Sequence, residues 1–132
     1  MKYVLITGGN SGIGLELAKK FAADGFGILL AASDEKKLLT AKCGIEKAYS
    51  VPVITYLFDL ARQGEAKKLY EAVKTDRIVV DVLVNNAGIG TIGATDSSFF
   101  ERILTFIPAS FLIQSIISSR FFAVLYAAVA TV

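Results

Sequence analysis

Lys2-Tyr3-Val4-Leu5-Ile6, followed at once by Thr7-Gly8-Gly9-Asn10-Ser11-Gly12-Ile13-Gly14, decides how this chain is built. The first five residues read as a strand. The glycines after them read as a turn built to hold phosphate, opening into an apolar-striped helix. Gly8 permits the tight turn, Gly12 lets backbone approach a ligand without a Cβ in the way, and Gly14 lets helix and strand pack closely. The first amides of the helix then point into the turn at the positive end of the helix dipole. The expected occupant is the pyrophosphate of a dinucleotide, cradled by Gly8, Asn10, Ser11, Gly12, Ile13 and Gly14.

Working outward, apolar runs alternate with helical stripes. A helix is expected over residues 13–23, with Ile13, Leu17, Ala18 and Phe21 inward and Gly25 as its stop. A continuously apolar strand follows at 26–32, as expected where helices cover both sheet faces. A second helix is read at 34–49, with Leu38, Leu39, Ala41 and Ile45 inward and Gly44 weakening it by about 1 kcal/mol. A third strand covers 51–58, with Pro52 at its start where a missing amide costs little. A third helix covers 62–74 on the stripe Ala66, Leu69, Tyr70 and Val73, and a fourth strand covers 78–84. Strand–helix alternation of this kind makes a parallel sheet with right-handed crossovers, the first half of a doubly wound α/β fold.

Composition narrows the chemistry. The 132 residues suffice for one domain and not two. Apolar residues make up 54% of them, above the usual ~45–50% of a soluble domain. A net charge of +2 without a basic block gives nucleic-acid binding no support. With no histidine and Cys43 the single cysteine, zinc chemistry, histidine acid–base catalysis and an intrachain disulfide are excluded, and no metal site is expected. Cys43 reads as a small packing residue. The first strand starts at residue 2 and meets glycine at residue 8, too short for a secretory apolar core, so a reducing cytoplasmic setting is expected.

A second motif, Asn85-Asn86-Ala87-Gly88, follows the apolar run Val79-Val80-Asp81-Val82-Leu83-Val84. With Thr-Gly-x-x-x-Gly-x-Gly at residues 7–14, it resembles the short-chain dehydrogenase/reductase family of classical type over residues 1–95. That resemblance implies a Rossmann-like sheet, NAD or NADP as cofactor, and hydride transfer on a carbonyl or secondary alcohol. It places Asn86, Ala87 and Gly88 against the adenosine ribose, and Asp59 and Leu60 against the adenine. A plainer reading, in which Asp59 caps the helix from Arg62, stays open. At the end of the second strand, an acidic residue would bond the ribose of NAD and an arginine the extra phosphate of NADP. Ala32 and Ser33 stand there, followed by Asp34. Ser33 suits either ligand, and Ser33-Asp34 also reads as a helix cap. Cofactor choice stays open.

The family's catalysis uses a tyrosine, a lysine four residues later that lowers its pKa, a serine and a helix asparagine. A tyrosine of ordinary pKa near 10 is a poor base at neutral pH, so the ammonium is required. No lysine follows Lys74 and no asparagine follows Asn86. The serine, tyrosine and lysine are expected beyond Val132, and no residue here is assigned a catalytic role. Tyr70-Glu71-Ala72-Val73-Lys74 has the spacing but lies on a crossover helix, so Tyr70 reads as core-edge packing. Tyr126-Ala127-Ala128-Val129-Ala130 has alanine where the ammonium belongs.

Residues 89–95 read as a loop. Ser98 with Glu101 forms a capping box for a helix from Ser97 to about Ser119, broken or kinked at Pro108. Phe121–Thr131 reads as a strand or a helix. Between Ile103 and Val132 Arg120 is the one charge. Pro108, Gln114, Ser115–Ser119 and Arg120 interrupt every window of the ~20 apolar residues a membrane helix needs, so a membrane span is not expected. An exposed apolar surface over 97–132 implies homo-oligomerisation or aggregation. The chain is thus read as one truncated NAD(P)-binding domain, residues 1–132, that binds the dinucleotide and lacks the catalytic serine, tyrosine and lysine. The alternative is a catalytically inactive nucleotide-binding or partner-binding fragment.

Overall fold

The computed structural model describes residues 1–87 and the strand at 123–126. Strands β1 (Tyr3–Thr7), β2 (Gly27–Ala32), β3 (Val53–Leu57), β4 (Val82–Asn85) and β5 (Ala123–Tyr126) form one sheet in the order β3-β2-β1-β4-β5. Every pairing is parallel. Helices α1 (Gly12–Ala23), α2 (Glu35–Tyr49) and α3 (Glu65–Thr75) join the first four strands. This is the doubly wound sheet the alternation implies.

Period-two alternation along the strands divides the core. Val4, Ile6, Ile28 and Leu30 face Ala18, Ala22, Leu38 and Ile45, which places α1 and α2 on one face. Leu5, Leu29, Ala31 and Leu83 face Leu69 and Val73 of α3 on the other. All six residues of β2 are buried, the pattern of a strand covered on both sides. A buried Leu or Ile contributes about 1.5–3 kcal/mol relative to exposure, so the apolar runs drive this assembly.

Several boundaries and faces differ from the sequence reading. The strand expected from Ile78 begins at Val82, because Asp81 ties off the entry to the sheet. Its amide donates to the Tyr3 carbonyl at 2.9 Å, and its Oδ2 accepts from the Tyr3 amide at 2.8 Å. The helix expected from Arg62 starts at Glu65, after a left-handed Gly64 with φ 85°. Leu39 is 51% and Ile13 53% exposed, not inward. Leu39 sits a hundred degrees round the helix from Leu38, and Ile13 turns outward in the first turn of α1. Cys43 is exposed rather than packed, because Leu38, Ala41 and Ile45 carry the inward stripe and position 43 lies off it.

Phe121–Thr131, open between strand and helix, contains β5, whose Tyr126 pairs in register with Asn85. Gly88, the loop at 89–95, the helix of 97–119 with its capping box and Pro108, and the association surface of 97–132 lie outside the described residues. No helix among the described residues is long and apolar enough to cross a membrane.

Gly44 lies inside α2, and a Cβ built there meets nothing within 4 Å. Gly44→Ala is therefore expected to stabilise the fold by about 0.5–1 kcal/mol, through lost backbone entropy in the unfolded chain. A urea unfolding curve followed by circular dichroism checks this; an unchanged or lowered midpoint refutes it.

Candidate functional site

The strand order reverses between β1 and β4, where β1 turns to α1 on one side and β4 emerges on the other. Open α/β sheets bind ligands in the crevice outside the carboxyl ends of the strands at such a point. A cavity of about 370 Å³ opens there, within the ~300–1,000 Å³ typical of ligand sites. Gly8, Asn10, Ser11 and Ile13 line it from the loop after β1, and Ala31, Ala32 and Ser33 from the end of β2. Phe58, Asp59, Leu60 and Ala61 enter from the loop after β3, and Asn86 and Ala87 from the end of β4. Nine of the twelve expected site residues thus meet in one cavity. Gly12 and Gly14 do not line it, and Gly88 lies outside the described residues.

Gly8 holds the turn at φ +65°, its amide donating to the Ala31 carbonyl at 2.7 Å. The Asn86 side-chain amide donates to the Gly8 carbonyl at 3.2 Å, locking the glycine turn to β4. Gly14 is buried beneath that junction. A Cβ there would overlap the Gly8 carbonyl oxygen and stand 2.5 Å from Asn86 Nδ2. Gly12 is exposed at φ +53°, and a Cβ on it meets nothing within 4 Å, so its surroundings leave room for a ligand.

The charge environment at the glycine turn favours an anion. Ser11 is the N-cap of α1 in extended backbone, its side chain makes no capping bond, and the first turn carries no acidic residue. The leading amides of α1 are therefore left without an intrahelical partner at the positive helix end. The other two helices differ, each with a glutamate in the first turn, Glu35 in α2 and Glu65 in α3.

Asp59 holds its own loop and does not cap α3. Its Oδ1 accepts from the Ala61 amide at 3.2 Å, and its Oδ2 lies 3.1 Å from Arg62 Nε. Asp34 caps α2, with Oδ1 accepting from the Lys37 amide at 3.0 Å, as the plainer sequence reading had it. Ser33 stands exposed between that cap and the cavity.

In the tyrosine–lysine lookalike on α3, Tyr70 is half-buried and outside both core clusters, and Lys74 is exposed. Lys74 Nζ lies 5.7 Å from the centre of the Tyr70 ring, over its face. Burial, followed by the hydrogen bond its hydroxyl donates to Asp76 at 2.7 Å, pushes the Tyr56 phenol far above its usual range. That direction opposes use as a base at neutral pH.

Sequence reasoning quoted Thr7 without giving it a role. Its Oγ1, at 2% residue exposure, accepts from the amides of both Asn86 and Ala87 at 3.0 Å. It also lies 3.2 Å from Asn85 Oδ1 and 3.4 Å from the Val84 carbonyl. The signal was a polar β-branched residue at the end of an otherwise apolar strand. The flanking positions Phe58 and Ala61, and Arg62 beside Asp59, carried no motif.

A family model described as short chain dehydrogenase matches residues 2–118. A (+)-neomenthol dehydrogenase of Arabidopsis thaliana is 37% identical over 94 residues, covering 69% of this chain and 32% of that protein. A diacetyl reductase [(S)-acetoin forming] of Staphylococcus epidermidis is 36% identical over 92 residues, covering 69% of this chain and 35% of its own length. Among solved structures, L-sorbose reductase from Gluconobacter frateurii complexed with NADPH and L-sorbose superposes with a TM-score of 0.76 at 29% identity, covering 88% of this chain and 46% of that one. A short-chain dehydrogenase from Sphingobium yanoikuyae in complex with NADPH gives 0.75 at 27% identity, covering 89% and 47%. The chain spans about a third of the length of these curated relatives and about half of these solved structures.

Proposed function

Because the chain belongs to the short-chain dehydrogenase/reductase family of oxidoreductases, we propose that residues 1–132 form the part that holds a nicotinamide dinucleotide in the cavity at the β1–β4 switch point. The observation that carries this reading is the meeting of the glycine turn, the uncapped start of α1 and Asn86-Ala87 around one cavity. In the proposed pose the leading amides of α1 take the pyrophosphate over Gly12. Asn86 and Ala87, with Gly88 next in sequence, border the adenosine ribose, and Asp59 and Leu60 flank the adenine. The relatives solved with NADPH support the same class of ligand.

The cofactor, when bound, supplies or accepts hydride at a carbonyl or secondary alcohol. This chain's own residues orient it but do not move the accompanying proton. Tyr70 lies under Lys74 on the crossover helix, Tyr56 is held protonated by burial, and Tyr126 has Ala130 where an ammonium would be needed. We therefore propose that residues 1–132 bind NAD(P) and do not turn over a carbonyl by themselves.

Titrating the purified 132-residue chain with NADH and NADPH, read by cofactor fluorescence, tests the binding claim. Micromolar to millimolar saturable binding is expected, and no binding at millimolar cofactor would refute it. Reduction of a general carbonyl substrate that survives purification and is lost in Tyr126→Phe would overturn the second claim.

A further inference from the structure

β3 lies at one end of the sheet order, with β2 as its single neighbour among the described strands. The Ile28 amide donates to the Pro52 carbonyl at 2.9 Å, and the Phe58 amide donates to the Ala32 carbonyl at 3.0 Å. The amide and carbonyl of one strand residue point the same way, and successive residues alternate. Residues 52, 54, 56 and 58 therefore address β2, while Val53, Thr55 and Leu57 turn their amides and carbonyls outward. One of these outward groups is filled. Glu46 reaches over from α2, and its Oε1 accepts from the Val53 amide at 3.3 Å. Among the described residues, the Thr55 and Leu57 amides meet no acceptor.

The same edge is apolar. Val53–Leu57 carries no charge and no proline, the composition that lets an edge strand pair with another chain. Leu57 is 51% exposed. α2 runs antiparallel to β3, and Leu39, equally exposed, lies two turns before Glu46 on one stripe, ~10 Å back along the helix. Leu57 lies ~13 Å beyond Val53 along the strand. The two exposed leucines therefore flank the same end of the edge.

We propose that this edge pairs with the β3 edge of a second copy of the chain, antiparallel about a two-fold axis through Thr55, so that two sheets become one. The strand complements itself in that register. Thr55 exchanges amide-to-carbonyl bonds with the partner's Thr55, and each Leu57 amide donates to the carbonyl of the partner's Val53. Neither pair disturbs the Glu46 caps. Leu57 and the partner's Val53 then share the face that α2 covers, close to Leu39. A second copy supplies an extended strand that is already ordered, whereas a flexible peptide would lose backbone freedom to adopt the same shape. Glu46 acts as the guard of the edge: it withholds the Val53 amide, and with it one more bond per copy, to the Leu57 carbonyl across the axis.

Analytical ultracentrifugation of the full chain over a concentration series tests the proposal, and a concentration-dependent dimer is expected. Thr55→Pro removes an outward amide that no ladder bond within the chain uses, so it should raise the dimer dissociation constant at least about tenfold. Glu46→Ala frees the Val53 amide and should tighten the dimer, by roughly threefold or more. Glu46→Gln keeps an acceptor for that amide and should leave the dimer near native strength. A nitroxide on Cys43, the single cysteine and exposed on α2, should show dipolar broadening that Thr55→Pro removes. A monomer at every concentration overturns the proposal. So does a dimer that a folded Thr55→Pro chain retains, which would place association elsewhere, or one that a folded Glu46→Ala chain loses. Circular dichroism of each variant reports the fold, and if Thr55→Pro unfolds, the sign of the Glu46→Ala effect decides.

Discussion

Gly14→Ala is expected to abolish dinucleotide binding and to destabilise the fold by about 2–4 kcal/mol. The added methyl would overlap the Gly8 carbonyl oxygen and stand 2.9 Å from its carbon and 2.5 Å from Asn86 Nδ2. Neither neighbour can yield cheaply. The Gly8 peptide is fixed by its 2.7 Å bond to Ala31 and by a left-handed turn, and the Asn86 amide is the donor that ties that turn to β4. Relief requires α1 to slide away from the sheet or the Asn86–Gly8 bond to break, and either moves the leading amides of α1 off the cavity. A loss of roughly one ångström of alignment is enough to disable such a site. The same substitution at Gly44, with open space around it, carries the opposite sign, so the pair controls for helix propensity. Urea unfolding of both variants, with NADPH titration of each, checks the prediction. Gly14→Ala with native stability and native affinity would show that the close approach is not needed.

How much of this was legible in the sequence depends on whether a property is local or requires register. The four strands with their crossover helices were readable because continuous apolar runs such as 26–32 and the glycine stops are properties of neighbouring residues. The cavity was readable at Asn10, Ser33, Asp59 and Asn86 because each follows a strand, and parallel strands bring all their carboxyl ends to one edge. Where readings went astray, the deciding contact was distant in the chain. Asp81 stops β4 from starting at Ile78 by bonding Tyr3, 78 positions away. Cys43 and Leu39 sit in an apolar-tolerant helix, and which of its faces meets the sheet is set by the packing of α2 on β2 and β3 rather than by the residues themselves. Asp59 was given two roles by its neighbours in sequence, capping or ligand contact. It holds its own loop by bonding Ala61 and Arg62.

Thr7 is the other residue whose weight is invisible until the sheet is assembled, and Thr7→Val is expected to cost about 2–4 kcal/mol of stability and to weaken dinucleotide binding at least about tenfold. Valine keeps the shape and the strand preference of threonine, so packing along β1 is preserved and only the hydroxyl is removed. That hydroxyl accepts from two amides, those of Asn86 and Ala87, each at 3.0 Å and across nearly eighty residues of sequence. At 2% exposure, water has little access to replace it, and leaving a buried donor unpaired costs ~1–3 kcal/mol each. The two amides belong to the segment that borders the cavity, so their release shifts Asn86 and with it the bond to the Gly8 carbonyl. Stability and binding should therefore fall together. Thr7→Ser is the discriminating partner: it restores the oxygen and lacks only one methyl, so it should recover most of the affinity while remaining about 0.5–1.5 kcal/mol less stable than threonine. If serine were as damaging as valine, the hydroxyl alone would not account for the loss and the methyl packing would share it. If valine were harmless, the stitch between β1 and β4 would play no part in holding the cavity's wall.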